Sequence, residues 1–91
     1  MRQRIHILVH GRVQGVSFRA YTQQRARSLG LRGYVRNLPN GDVEIVAEGE
    51  RESLEPLREW ARHGPTGAVV MDFHDEFSEA TDSFPDFSIK Y

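Results

Sequence analysis

No cysteine occurs among the 91 residues, which excludes disulfides, thiolate zinc sites and any phosphoryl transfer through a cysteinyl-phosphate. Lysine is almost missing as well: Lys90 stands beside eleven arginines, a skew we attribute to genome composition. No apolar run approaches the roughly 20 residues that cross a bilayer. The basic start MRQRIHILVHGR carries only a short apolar segment interrupted by histidine, so no secretory signal is expected. Charge of one sign is also lacking. The net value is −1, so there is no broad field to gather nucleic acid or anionic lipid, and any anion site must be local. Repeats, low-complexity tracts and linkers are absent. What remains is 38% hydrophobic and 27% charged, the composition of a soluble globular protein. We expect one domain over residues 1–91, cytoplasmic and monomeric, without a membrane or nucleic-acid partner.

Hydrophobic periodicity divides the chain into short elements. In residues 4–10, RIHILVH, Ile5, Ile7 and Val9 share one face, the two-residue period of a half-buried strand. From Phe18 the period lengthens, and Phe18, Thr22, Ala26 and Leu29 form a helical stripe, with Ser17 as its cap and Gly30 as its stop. LRGYVRN (31–37) and DVEIVAEG (42–49) read as strands joined by a hairpin at Asn40-Gly41, both residues tolerating positive φ. A second helix is predicted over 51–63, burying Leu54, Leu57, Trp60 and Ala61. Pro56 sits in its first turn if Ser53 is the cap; an earlier start implies a kink or a distorted first turn. AVVMDFH (68–74) and FSIKY (87–91) read as strands separated by an acidic loop, EFSEATDSFPD.

This order is that of a ferredoxin-like α+β fold, a two-layer α/β sandwich (βαββαβ) with two helices on one face of an antiparallel sheet. The topology has a consequence for chemistry. Strands 1 and 2 are joined through a helix and run the same way, so the turn leaving strand 1 and Asn37 at the end of strand 2 are expected at one edge.

That turn is GRVQGVSFR, residues 11–19. Gly11 and Gly15 permit positive φ and close approach of a ligand to the backbone. Amides entering the helix near Ser17 to Ala20 lack intrahelical acceptors and carry the positive end of the helix dipole, which suits a phosphate or carboxylate. Arg19 adds a planar fork able to pair two anionic oxygens. Spacing alone leaves two readings open: an anion cradle, or a plain turn with Arg19 solvated. The stretch is neither a Walker loop, lacking Lys-Ser or Lys-Thr, nor a dinucleotide fingerprint, lacking the third glycine.

GRVQGVSFR, followed by GYVRNLPNGDVEIVAEG and the closing FSIKY, resembles the acylphosphatase family, ferredoxin-like enzymes that hydrolyse the carboxyl-phosphate bond. The resemblance spans nearly the whole chain. It implies that the backbone amides of Arg12, Val13, Gln14, Gly15, Val16, Ser17 and Phe18, with the Arg19 guanidinium, bind the phosphoryl group of a small acyl phosphate. It implies also that Asn37 orients the attacking water and that inorganic phosphate is a product, with no metal and no organic cofactor. Tyr34 departs from a family tryptophan, and 75–86 is unlike the family pattern. The rival reading is a non-catalytic ferredoxin-like module binding an anion or a protein, and a third is a domain taken from a larger carbamoyl-phosphate-handling enzyme.

Other candidates fall short. His6 and His10 point the same way on a strand but lie roughly 13 Å apart by its rise, too far for one metal ion. His63 and His74 have no ligand-like neighbours. Arg32-Gly33-Tyr34 matches the start of an RNA-recognition strand signature, but Val35 and Arg36 break it.

Overall fold

The computed structural model describes residues 1–91. Its elements are β1 (Arg2–Arg12), α1 (Phe18–Ser28), β2 (Arg32–Asn37), β3 (Val43–Glu50), α2 (Arg51–Ala61), β4 (Val69–Glu79) and β5 (Phe87–Lys90). The five strands form one sheet in the order β4-β1-β3-β2-β5. β1 and β2 are each antiparallel to β3, so they run in the same direction and end at the same edge, as the topology requires. The sheet is not wholly antiparallel: β5 lies parallel to β2, with Val35 opposite Ile89.

Alternation decides the faces. Ile5, Ile7 and Val9 of β1, Val35 of β2, and Val43, Ile45 and Ala47 of β3 are fully buried. They meet Phe18 and Ala26 of α1 and Leu54, Leu57 and Ala61 of α2 in one cluster, so both helices cover the same face. Burying each of the larger aliphatic side chains contributes about 1.5–3 kcal/mol. Trp60 is only half-buried, its ring 5.4 Å from that of Phe18. Gly64 closes this corner, because a side chain there would run into the Phe18 ring.

Several elements depart from expectation for physical reasons. The helix over 51–63 begins at Arg51, with Glu50 as its N-cap, so Pro56 lies inside it and has no amide hydrogen for the carbonyl of Glu52. Asn40 does not take positive φ; Gly41 alone does (φ 98°), and the Asn40 side chain accepts from the Asp42 amide instead. β4 continues five residues beyond the predicted strand, into the acidic stretch. Its inward positions there are Asp75 and Phe77, and Asp75 is neutralised by Arg58 of α2.

The remaining acidic segment, residues 80–86, carries the chain from one edge of the sheet to the other. It is tied to Glu48 of β3, whose side chain is 1% exposed. The Thr81 and Asp82 amides donate to Glu48 Oε1 at 3.0 and 2.8 Å, the Thr81 hydroxyl to Oε2 at 2.9 Å, and Arg4 Nε to Oε2 at 2.8 Å. Burial alone would push this carboxyl up, but the hydrogen bonds, led by the Thr81 amide and Arg4, outweigh it and hold the pKa at about 2.

Candidate active site

β1 breaks register with β4 between His10 and Gly11, and the chain turns away from the sheet after Arg12. Gly11 (φ 136°) is required there because a Cβ would collide with the Val69 carbonyl. Gly15 (φ 78°) then turns the loop with open space around it. Ser17 is the last residue before α1 but does not cap it with its side chain. It adopts a left-handed conformation (φ 61°, ψ 27°), the backbone geometry of a turn rather than of an extended N-cap.

The hydrogen-bond inventory of this segment is unusual. From Val13 through Ala20, no backbone N–H donates to another protein group; the first to do so is Tyr21, to the Ser17 carbonyl at 3.1 Å. Residues 13–17 belong to no ladder, and Phe18, Arg19 and Ala20 occupy the first helical turn. The result is a run of donors with the helix dipole behind it, at the end of β1 where β2 also ends.

A cleft of about 320 Å³ opens against this run. One wall is Val13, Gly15, Ser17, Phe18, Arg19 and Ala20; the others are Asn37 from β2, and Ile89 and Tyr91 at the end of the chain. Of the residues singled out in the sequence, the cleft thus gathers Val13, Gly15, Ser17, Phe18, Arg19 and Asn37. Arg12, Gln14 and Val16 do not line it. The Arg12 side chain is exposed, Val16 packs on the core, and Gln14 reaches the β2–β3 turn. No Asp or Glu is among the lining residues. Arg19 is half-buried, with its Cζ 5.0 Å from the centre of the Tyr91 ring, so its charge has an aromatic face beside it instead of an anion.

Asn37 follows Gly33 and Val35 on the helix-facing side of β2, and this parity brings it into the cleft. Its Oδ1 is buried and has no hydrogen-bond partner, the one such side-chain atom in the protein. An acceptor left in this state costs about 1–3 kcal/mol, so it calls for a reason. Ile89 and Tyr91 were missed by sequence reasoning as site residues. Only the parallel pairing of β5 with β2, which sets Lys90 opposite Arg36, brings the chain's end alongside Asn37.

The histidines lie elsewhere. His6 and His10 project from the sheet face away from the helices, where His6 Nε2 is 2.8 Å from Glu44 and His10 Nδ1 is 2.6 Å from Asp42. Glu44 shares its carboxylate with Arg36 at 2.6 Å. Burial works to raise the Glu44 pKa, and the bonds from His6 and Arg36 lower it on balance.

Comparison with known proteins bears on the same residues. The family model described as acylphosphatase matches residues 5–89. A Marinobacter nauticus protein named acylphosphatase is 56% identical over 84 residues, covering 92% of this chain and 91% of that one. The crystal structure of acylphosphatase from Bacillus subtilis superposes with a TM-score of 0.93 at 37% identity, covering 98% of this chain and 99% of the other. An acylphosphatase structure from Coxiella burnetii gives 0.90 at 42% identity, covering 98% and 93%. With the family model extending from β1 into β5 and the architecture shared throughout, the chain belongs to the acylphosphatase family.

Proposed function

We propose that the cleft between residues 13–20 and Asn37 is where this acylphosphatase hydrolyses its substrate, with the phosphoryl group held by the backbone amides of Arg12 to Phe18 and by Arg19. The substrate is a small acyl phosphate and the products are a carboxylate and orthophosphate. A carboxylate is a weakly basic leaving group, so the P–O bond can break without a strong general acid. The site then needs to hold the phosphoryl group in line with a water and to offset charge on its equatorial oxygens. Free amides and the Arg19 guanidinium, in a cleft lined by no Asp or Glu side chain, suit the second task.

The observation that carries the reading is the unpaired Asn37 Oδ1 beside that donor run. A module that only bound anions would have no use for a buried acceptor next to its donors. A hydrolase does, because an attacking water needs its O–H directed away from phosphorus so that its lone pair faces the in-line position. An amide oxygen accepts such a bond but takes no proton. In this mechanism the proton passes to a phosphate oxygen, and the rate should show no essential enzyme group titrating near neutrality. We read residues 1–91 as one acylphosphatase domain acting as a cytoplasmic monomer, without metal or organic cofactor; the protein has no helix long and apolar enough to cross a membrane.

Benzoyl phosphate hydrolysis by the wild type, Arg19→Gln and Asn37→Ala, with chelator present, tests the assignment. Equal rates in all three would remove the site. Loss in Arg19→Gln alone would keep the cradle and discard the role of Asn37.

A further inference from the structure

Gln14 sits in the middle of the cradle, yet its side chain does not line the cleft. Its Nε2 donates to the Leu38 carbonyl and to the Asp42 carbonyl, both at 2.9 Å. Both neighbours are acceptors only, so it is the amide nitrogen that must face them, and its two hydrogens are both used. Leu38 directly follows Asn37, and Leu38 and Asp42 are the two ends of the turn between β2 and β3.

That turn does not need Gln14 in order to form. Leu38 N–H donates to the Asp42 carbonyl at 2.8 Å, Gly41 N–H to the Leu38 carbonyl at 3.1 Å, and the Asn40 side chain holds the Asp42 amide at 3.0 Å. The cradle, in contrast, has little else to hold it. The two bonds from Gln14 are the only hydrogen bonds joining residues 13–17 to any part of the protein beyond the first turn of their own helix. The remaining restraint is apolar packing by Val13 and Val16, which resists separation but fixes direction poorly because it has no preferred angle.

We infer that Gln14 is a positioning residue: its carboxamide sets the spacing between the phosphate-binding amides and Asn37, and so the alignment of phosphorus with the attacking water. The inference rests on the site assignment above. In-line attack depends on that spacing, and a misplacement near 1 Å costs on the order of 10²-fold in rate. Phosphate binding depends only on the cradle and Arg19, so it should survive loss of the link.

The experiment compares Gln14→Leu, close in shape and without donors, with the wild type. It measures kcat for benzoyl phosphate, competitive inhibition by inorganic phosphate, and thermal melting. The expected result is a fall in kcat of roughly 10- to 100-fold, with the phosphate inhibition constant moving less than about threefold in a folded chain. Unchanged kcat would overturn the inference. So would an equal loss of kcat and phosphate affinity, which would make Gln14 a builder of the cradle instead of a spacer. If Gln14→Leu fails to fold, Gln14→Glu is read by the same criteria; failure of both to fold would overturn the inference by making the residue structural. Wild-type turnover in Arg19→Gln and Asn37→Ala would instead sink the site assignment itself.

Discussion

Two runs of backbone amides outside the sheet and helix ladders, at Thr81–Asp82 and at residues 13–20, are completed differently. At Thr81 and Asp82 the N–H groups converge on Glu48, a carboxylate belonging to the protein, and Arg4 adds a cation. At residues 13–20 the amides have no protein acceptor, and no Asp or Glu side chain lines the cleft they share with Arg19. The donor groups are of one kind in both places, backbone amides with a guanidinium nearby. Where the anion is built in, the arrangement holds the sheet-crossing segment in place. Where no acidic side chain is supplied, the donors are left without a protein partner.

Substitution can break this contrast from either side. The largest effect is expected from Arg19→Gln, which removes the cation of the open site: kcat should fall roughly 10³- to 10⁵-fold, while denaturant unfolding stays within about 0.5 kcal/mol of wild type, as for a surface change. Asn37→Ala should follow with a fall of about 10²- to 10³-fold, the scale for losing one preorganised polar group. Here the melting temperature should hold or rise, because the variant deletes a buried acceptor that has no partner; a marked drop would mean that Asn37 has a structural role instead.

The closed site should respond in the opposite sense. Glu48→Gln is expected to lower unfolding free energy at pH 7 by about 3 kcal/mol, the worth of a carboxyl pKa brought down to about 2, with turnover at 25 °C unchanged. Because the folded pKa is depressed, this stability is fully present above the ordinary carboxyl range and is lost as pH falls toward 2. Denaturation curves of wild type and variant should therefore converge in acid; curves that stay parallel down to that range would deny Glu48 its role. The smallest effect concerns the missing anion itself. Inorganic phosphate at about ten times its dissociation constant should stabilise the wild type by about 1.4 kcal/mol. Glu48→Gln should show the same increment and Arg19→Gln should lose it.

The two regions differ just as much in how far the sequence reveals them. The proposed cradle lies within nine contiguous residues whose glycines and arginine each have a local reason to be there, and strand direction places Asn37 at the same edge, while its role comes from the family resemblance. Glu48 looks, in DVEIVAEG, like an ordinary outward residue of an alternating strand. Its burial comes from a segment 33 residues downstream that covers it, and no local pattern carries that information. The sequence pattern ends β4 at residue 74, short of Glu79, for a related reason. Asp75 breaks the apolar alternation, and only Arg58, on a helix 17 residues away in sequence, makes an inward acid tolerable. The sequence singles out Gln14 only for its backbone amide, because the acceptors of its side chain are backbone carbonyls 24 and 28 positions on. Ser17 misled in a different way. Its residue type suits a side-chain cap, whereas the turn preceding α1 demands a left-handed backbone, and that geometry takes precedence.

Ile89 closes the same cleft that Val13 opens, and β5 reaches its place beside β2 only after the segment over Glu48 has crossed the sheet. The cleft we propose as the active site is therefore complete only when contacts between distant parts of the chain have formed, and closing such long loops carries an entropic cost. In refolding from denaturant, helical signal is expected to return when local structure forms, and hydrolysis only once β5 has docked beside β2. With the cleft as the active site, recovery of activity would serve as a clock for the docking of the final strand.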